Sequence, residues 1–369
     1  MPDQNGAGIR QQGTNLTVRG CYFHDNEDGI LAGDDSNSEI LVEYSRFENN
    51  GYGDGQSHNF YINHVKRFTL RFSYSHRAVA GHLAKSRATE NHILYNRLST
   101  EDGTSSYELD LSNGGLSYVI GNVIVQSDSS PNGGMLAYQL EGAHPDNPSH
   151  ELFVVNNTFV NDRVNGGTFV NVGGSVATPV VLRNNIFMGA GTVTSQANAV
   201  LEGNFEGDPM FVDKVGYDFE LMAASPAVDA GVEPGMGAGM SLEPSSHYVH
   251  PTAGEGRVRV GGIDAGAFEL GGGVVGGGGT GGGSTGGGAG TGASAAGGGA
   301  VGTGGGGVGG GAGTGANGGS SLEDGEDDGC GCRVPGRAGR GAGGGALAIG
   351  LMLGGLWARR RMRRRGGVG

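Results

Sequence analysis

Cysteine is scarce, with three in 369 residues. So few cannot form a disulfide framework, and Cys21 is expected in the core as a small apolar residue. Basic charge is thin before Gly271: residues 1–270 carry 15 Lys and Arg against 32 Asp and Glu, and the remainder carries nine Arg against five acids. So acidic a domain lacks the basic stripe that phosphate binding needs, which excludes nucleic acid as a partner. It suits an exported domain, or one that recruits Ca²⁺. The first thirty residues contain no apolar signal-like run behind a basic start. The chain starts partway through a repeat, and a signal with one or more repeats is expected to precede Met1. Helical periodicity is also missing, since short apolar runs such as Phe60-Tyr61-Ile62 and His92-Ile93-Leu94-Tyr95 alternate with polar turns.

The chain does contain a repeat. Cys21-Tyr22-Phe23, Ser45-Arg46-Phe47, Ser73-Tyr74-Ser75, Asn96-Arg97-Leu98, Asn122-Val123-Ile124, Asn157-Thr158-Phe159 and Asn185-Ile186-Phe187 align, with successive spacings of 24, 28, 23, 26, 35 and 28 residues. A period in the twenties without intervening helices predicts an all-β parallel β-helix over residues 1–206 rather than a sandwich of hairpins. Asn recurring at one corner predicts a side-chain hydrogen-bonded ladder, with the same residue tolerating a left-handed turn. This pattern resembles the right-handed parallel β-helix superfamily of pectate-lyase-like proteins. Residues 207–270, with Asp208-Pro209-Met210-Phe211 and Ser225-Pro226-Ala227-Val228, look like that superfamily's closing segment, expected to cover the open end of the stack.

Residues 271–321 are nearly all Gly with Ala, Ser, Thr and Val, the composition of a disordered tether reaching roughly 40 Å. Residues 322–369 hold an acidic spacer, Cys330-Gly331-Cys332, an apolar span at 342–358 and six arginines from Arg359 to Arg365. That order reads as a short transmembrane helix with its basic end in the cytoplasm. The tail resembles the MYXO-CTERM sorting signal of myxobacterial surface proteins. The resemblance implies a sorting protease as partner, Cys330 or Cys332 as the processed position, and anchoring at the cell surface or outer membrane.

Candidate chemistry concentrates between His58 and Asn122. Aligning Phe60-Tyr61-Ile62-Asn63, Gly81-His82-Leu83-Ala84, Tyr107-Glu108-Leu109-Asp110 and Leu136-Ala137-Tyr138-Gln139 predicts an outward row of Tyr61, His82 and Glu108 beside Asn63, Asp110 and Gln139. An aromatic and polar face of this kind suits a polysaccharide, with Arg87 and Lys85 placed to bind uronate carboxylates. For a lyase, His82 or Lys85 is the candidate base, and Asn63, Glu108 and Asp110 the candidate holders of Ca²⁺ or a sugar hydroxyl. Lys85-Ser86 is similar to the Lys-Ser of alginate and chondroitin lyases with this fold, though Tyr107 to Asp110 stand where those enzymes carry an Arg. For a glycoside hydrolase, Glu108 and Asp110 form the carboxylate pair, with Glu141 as a third. An epimerase would share the lyase's first step, and a non-catalytic carbohydrate-binding or adhesive surface protein is the remaining alternative. His24, His150, His247 and His250 read as structural, and His58, His64, His76 and His92 as turn or core groups.

Overall fold

The computed structural model describes residues 6–274. Almost all of the Gly-rich tether, and all of the tail with Cys330, Cys332 and the apolar span, lie outside the described residues. The chain coils for about seven turns, laying down three parallel sheets of eight strands each. No helix occurs among the described residues, and none there is long and apolar enough to cross a membrane.

Each sheet turns alternate side chains into the interior, where they stack on the coils above and below. In the second sheet, Val18, Val42, Leu70, Ile93, Val119, Val154 and Leu182 form one continuous apolar row. In the third, Phe23, Phe47, Leu98, Ile124, Phe159 and Phe187 form another, interrupted only by Ser75, with the same register the repeat predicts. Phe23 stacks on Phe47 at 4.8 Å and Phe159 on Phe187 at 5.2 Å. Burying each large apolar side chain contributes roughly 1.5–3 kcal/mol.

Between the second and third sheets the chain turns sharply, and the predicted ladder occupies this corner. Asn96 Nδ2 donates to Asn122 Oδ1 at 3.0 Å, Asn122 to Asn157 at 2.9 Å, Asn157 to Asn185 at 3.0 Å and Asn185 to Asn204 at 2.9 Å. The same oxygens accept the backbone N–H of the Asn one coil earlier. Toward the N-terminus serine takes over, with the Cys21 N–H on Ser45 Oγ and the Ser45 N–H on Ser73 Oγ, both at 3.2 Å.

The ladder residues do not themselves take the left-handed conformation. The residue before each does, including Tyr44, Phe72, Tyr95 and Asn156 at φ of 50° to 55°. The aromatic ones stack coil on coil, Tyr44 on Phe72 at 5.1 Å and Phe72 on Tyr95 at 5.5 Å. The stack stops at Gly121, where a Cβ would lie 2.5 Å from the Tyr95 ring.

The closing segment takes a different course from the one expected. Its Phe211, Phe219, Leu221 and Ala265 pack on Val123, Val125, Val160 and Ile186, along the outer flank of the third sheet. Outward apolar residues there need cover along the length of the stack, and this need draws the segment sideways. Asn184 bonds Val232 through both backbone groups, Asn156 donates to the Asp264 carbonyl at 2.8 Å, and the Ser245 N–H donates to Tyr95 Oη at 2.9 Å. The Arg257–Glu269 pair at 2.9 Å, with both side chains buried, fixes the segment internally.

Removing one ladder side chain takes the acceptor from two buried donors of the Asn one coil earlier, and the Nδ2 donor from the Asn one coil later. Asn122→Ala is expected to cost about 2–3 kcal/mol and Asn122→Ser clearly less, because Ser45 and Ser73 show a hydroxyl accepting the same N–H. Denaturant titration of both variants measures the difference.

Candidate functional site

The first sheet contributes the candidate site through strands Phe60–Ile62, Lys85–Ser86, Leu109–Leu111 and Gly134–Tyr138. Its register places Tyr61, Lys85, Asp110 and Ala137 in one outward row, with Ile62, Ser86, Leu111 and Tyr138 inward. The expected row of Tyr61, His82 and Glu108 is therefore displaced: Lys85 takes the place given to His82, and Asp110 that given to Glu108. The cause is local. Gly81-His82-Leu83-Ala84 resembles a strand, but its backbone forms the corner leading in, and the pairing strand is the polar dipeptide after it.

Glu108 is fully buried and points inward, accepting from Thr100 Oγ1 at 2.5 Å and Gln126 Nε2 at 3.1 Å. Burial pushes its carboxyl well above the usual carboxylate range, against the hydrogen bond from Thr100. A carboxyl buried inside the coil does not meet substrate, so Glu108 cannot pair with Asp110 as a hydrolase dyad on this face. The expected calcium trio of Asn63, Glu108 and Asp110 fails for the same reason. Among the described residues no group of three or more His, Cys, Asp or Glu is placed to hold a metal ion. Gln139 is buried and donates to Ser175 Oγ at 3.1 Å, while Asn63 remains half-buried beside Tyr61.

His82 has a structural task. Asp28 Oδ1 accepts the His58 N–H at 2.7 Å, His58 Nδ1 accepts the His82 N–H at 2.9 Å, and His82 Nδ1 accepts the Tyr107 N–H at 3.2 Å. This is a second ladder, at the corner entering the first sheet. The two imidazoles stack at 4.6 Å. With Nδ1 accepting, the proton of neutral His82 sits on Nε2, which lies 3.5 Å from Asp110 Oδ2. Burial lowers its pKa to about 4, although Asp110 opposes the shift. A ring with its free lone pair already used is not available as a general base.

The remaining groups converge. Lys85 Nζ lies 3.2 Å from Asp110 Oδ2 and 2.5 Å from Glu141 Oε1. Arg87 reaches the other Glu141 oxygen, donates to Tyr61 Oη at 3.1 Å and to Asn113 Oδ1 at 2.6 Å. Both cations lie 5.7 Å from the Tyr61 ring centroid. Glu141 comes from the turn after Gly134–Tyr138, and its loop folds back across earlier coils. Asn113 Nδ2 donates to the Gly142 carbonyl at 2.9 Å, and the His144 ring meets that of His64 at 3.9 Å, tilted by 37°. Burial alone would raise the Glu141 carboxyl, but Lys85 and then Arg87 outweigh it and hold it below the usual range. Two cations and two anions leave the cluster neutral overall.

No family model, curated protein or solved structure matches the chain.

His82 should stay neutral well below pH 6 by ¹⁵N-detected NMR, with its proton on Nε2. An unfolded histidine takes up a proton near pH 6.5, whereas folded His82 does so only at about 4. Between those values the unfolded state binds more protons, so acidification removes stability, by at most about 3 kcal/mol from this group. An imidazolium signal at pH 6 would refute the assignment.

Proposed function

We propose that this is an exported, surface-anchored β-helix of the right-handed kind that binds an acidic extracellular polysaccharide on the outward face of the first sheet. One observation carries the reading: a loop carboxylate, Glu141, spans Lys85 and Arg87 beside the Tyr61 ring, with 42 % of its side chain exposed. A carboxylate bridging two cations next to an aromatic plane is the arrangement a uronate residue would make. Displacing Glu141 by a sugar carboxylate keeps the cluster neutral and exposes Lys85. Anchoring through Cys330 or Cys332 and the tail that resembles MYXO-CTERM would present this face outside the cell, with the Gly-rich segment as tether.

A hydrolytic reading has one support. Asp110 and Glu141 contact the same ammonium, so their oxygens are no more than about 6 Å apart, close to the roughly 5 Å of a retaining carboxylate pair. For a lyase, Lys85 and Asp110 are the groups left facing the sugar.

Titration calorimetry with oligogalacturonate and oligoalginate, using the full chain, tests the binding reading. Glu141→Ala should tighten binding, by up to roughly tenfold, since it removes the internal competitor, while Lys85→Ala with Arg87→Ala should weaken it at least as much. Weakening by Glu141→Ala, or no uronate binding at all, would overturn the proposal. An absorbing unsaturated product marks a lyase, and reducing ends without that absorbance mark a hydrolase.

A further inference from the structure

A second cleft, of about 680 Å³, lies between the outward face of the third sheet and the closing segment. That volume falls within the roughly 300–1,000 Å³ of small-molecule sites. We infer that it binds a neutral saccharide, independently of the first-sheet face.

Arg97 forms the floor. Its side chain is 6 % exposed, and its guanidinium lies 5.1 Å from the Tyr74 ring and 4.6 Å from that of Tyr217. Its ion-pair partner is Glu101, at 3.2 Å from one terminal nitrogen, and its buried Nε makes no hydrogen bond within the protein. Glu101 is already occupied, accepting from Tyr74 Oη and from His76 Nδ1 at 3.1 Å and facing Arg77 Nε at 3.2 Å. Nε is sealed from the cleft, but a guanidinium desolvated to this degree, with terminal donors that Glu101 does not take, calls for an acceptor from outside.

The opposite wall decides the charge of that acceptor. Asp218, Glu220 and Glu255 line it, and burial together with the two neighbouring carboxylates raises the Glu220 carboxyl. An anion drawn to Arg97 would face three carboxylates, and a cation drawn to them would face Arg97 and Arg77. A polyhydroxylated neutral ring suits both walls, because hydroxyls accept from guanidinium and donate to carboxylate. Its C–H face matches the aromatic surface, above all Tyr217, which a turn with φ of 62° holds 39 % exposed at the rim. Arg77 also borders an adjoining depression of about 300 Å³ lined by Tyr22 and Glu48, so the groove continues past one ring.

Saturation-transfer NMR of the full chain with cellotriose, maltotriose, xylotriose and chitotriose tests the inference, with trigalacturonate as the charged control. At least one neutral trisaccharide should bind. Tyr217→Ala should weaken it roughly five- to tenfold, and Lys85→Ala should leave it unchanged. Arg97→Lys, which keeps the charge but loses the fork, should weaken it likewise, and Tyr217→Ala carries the test alone if that variant does not fold. Absence of binding by all four sugars overturns the inference. So does binding indifferent to Tyr217→Ala, binding lost in Lys85→Ala, or trigalacturonate held through Tyr217 as tightly as the neutral sugars. First-sheet binding of uronates is read separately, so either site can fail without the other.

Discussion

A backbone that turns a buried corner takes its N–H groups out of sheet register, and each needs an acceptor that water cannot supply. The structure meets this constraint with side chains that reach to a neighbouring coil, back in one ladder and forward in the other. At the corner between the second and third sheets Asn and Ser supply the oxygen, and at the corner entering the first sheet Asp28, His58 and His82 supply an oxygen and two ring nitrogens. Coil height and register follow from these contacts, and so do the rows of side chains that each sheet presents. The second ladder also sets the protonation of the histidines that form it, which is why His82 borders the candidate site without being free to act as its base.

The two outer faces solve opposite electrostatic problems. On the first sheet, cations and carboxylates pair across a loop, and the half-exposed partner is the loop's own Glu141. On the third, the pairing is permanent: Glu101 is tied to Tyr74, His76, Arg77 and Arg97, and burial is outweighed by those contacts so that its carboxyl is held at about 2. The closing segment then adds a wall of carboxylates. One face is suited to exchanging a charged group, the other to receiving an uncharged one.

The third-sheet rows were legible in the sequence because their marker, a small polar residue before an alternating strand, recurs in each of the coils aligned there. The first-sheet rows were not. The strand Lys85–Ser86 is two polar residues long, and Leu83 just before it is buried at the corner, so hydrophobicity pointed three residues early. Glu108 read as surface because a carboxylate usually is, and nothing local announces that Thr100 and Gln126 close over it. Lys85, Arg87, Asp110 and Glu141 were all named from sequence, but their convergence depends on a loop folding back over more than fifty residues of chain. The closing segment's sideways course was equally hidden, since the outward Val123, Val125 and Val160 that attract it look like ordinary core residues.

The ladder steps from Asn96 onward are 26, 35, 28 and 19 residues long, yet the hydrogen bonds joining them stay between 2.9 and 3.0 Å. The corner therefore works as a fixed fastening, and all variation in length is pushed into the loops between the other strands. New sequence can enter a coil there without disturbing the stack, and the longest step is the one whose loop carries Glu141. A fold of this kind keeps its geometry at the corner and its variety in the loops, and the loop that reaches back to Lys85 and Arg87 lies wholly in the second category.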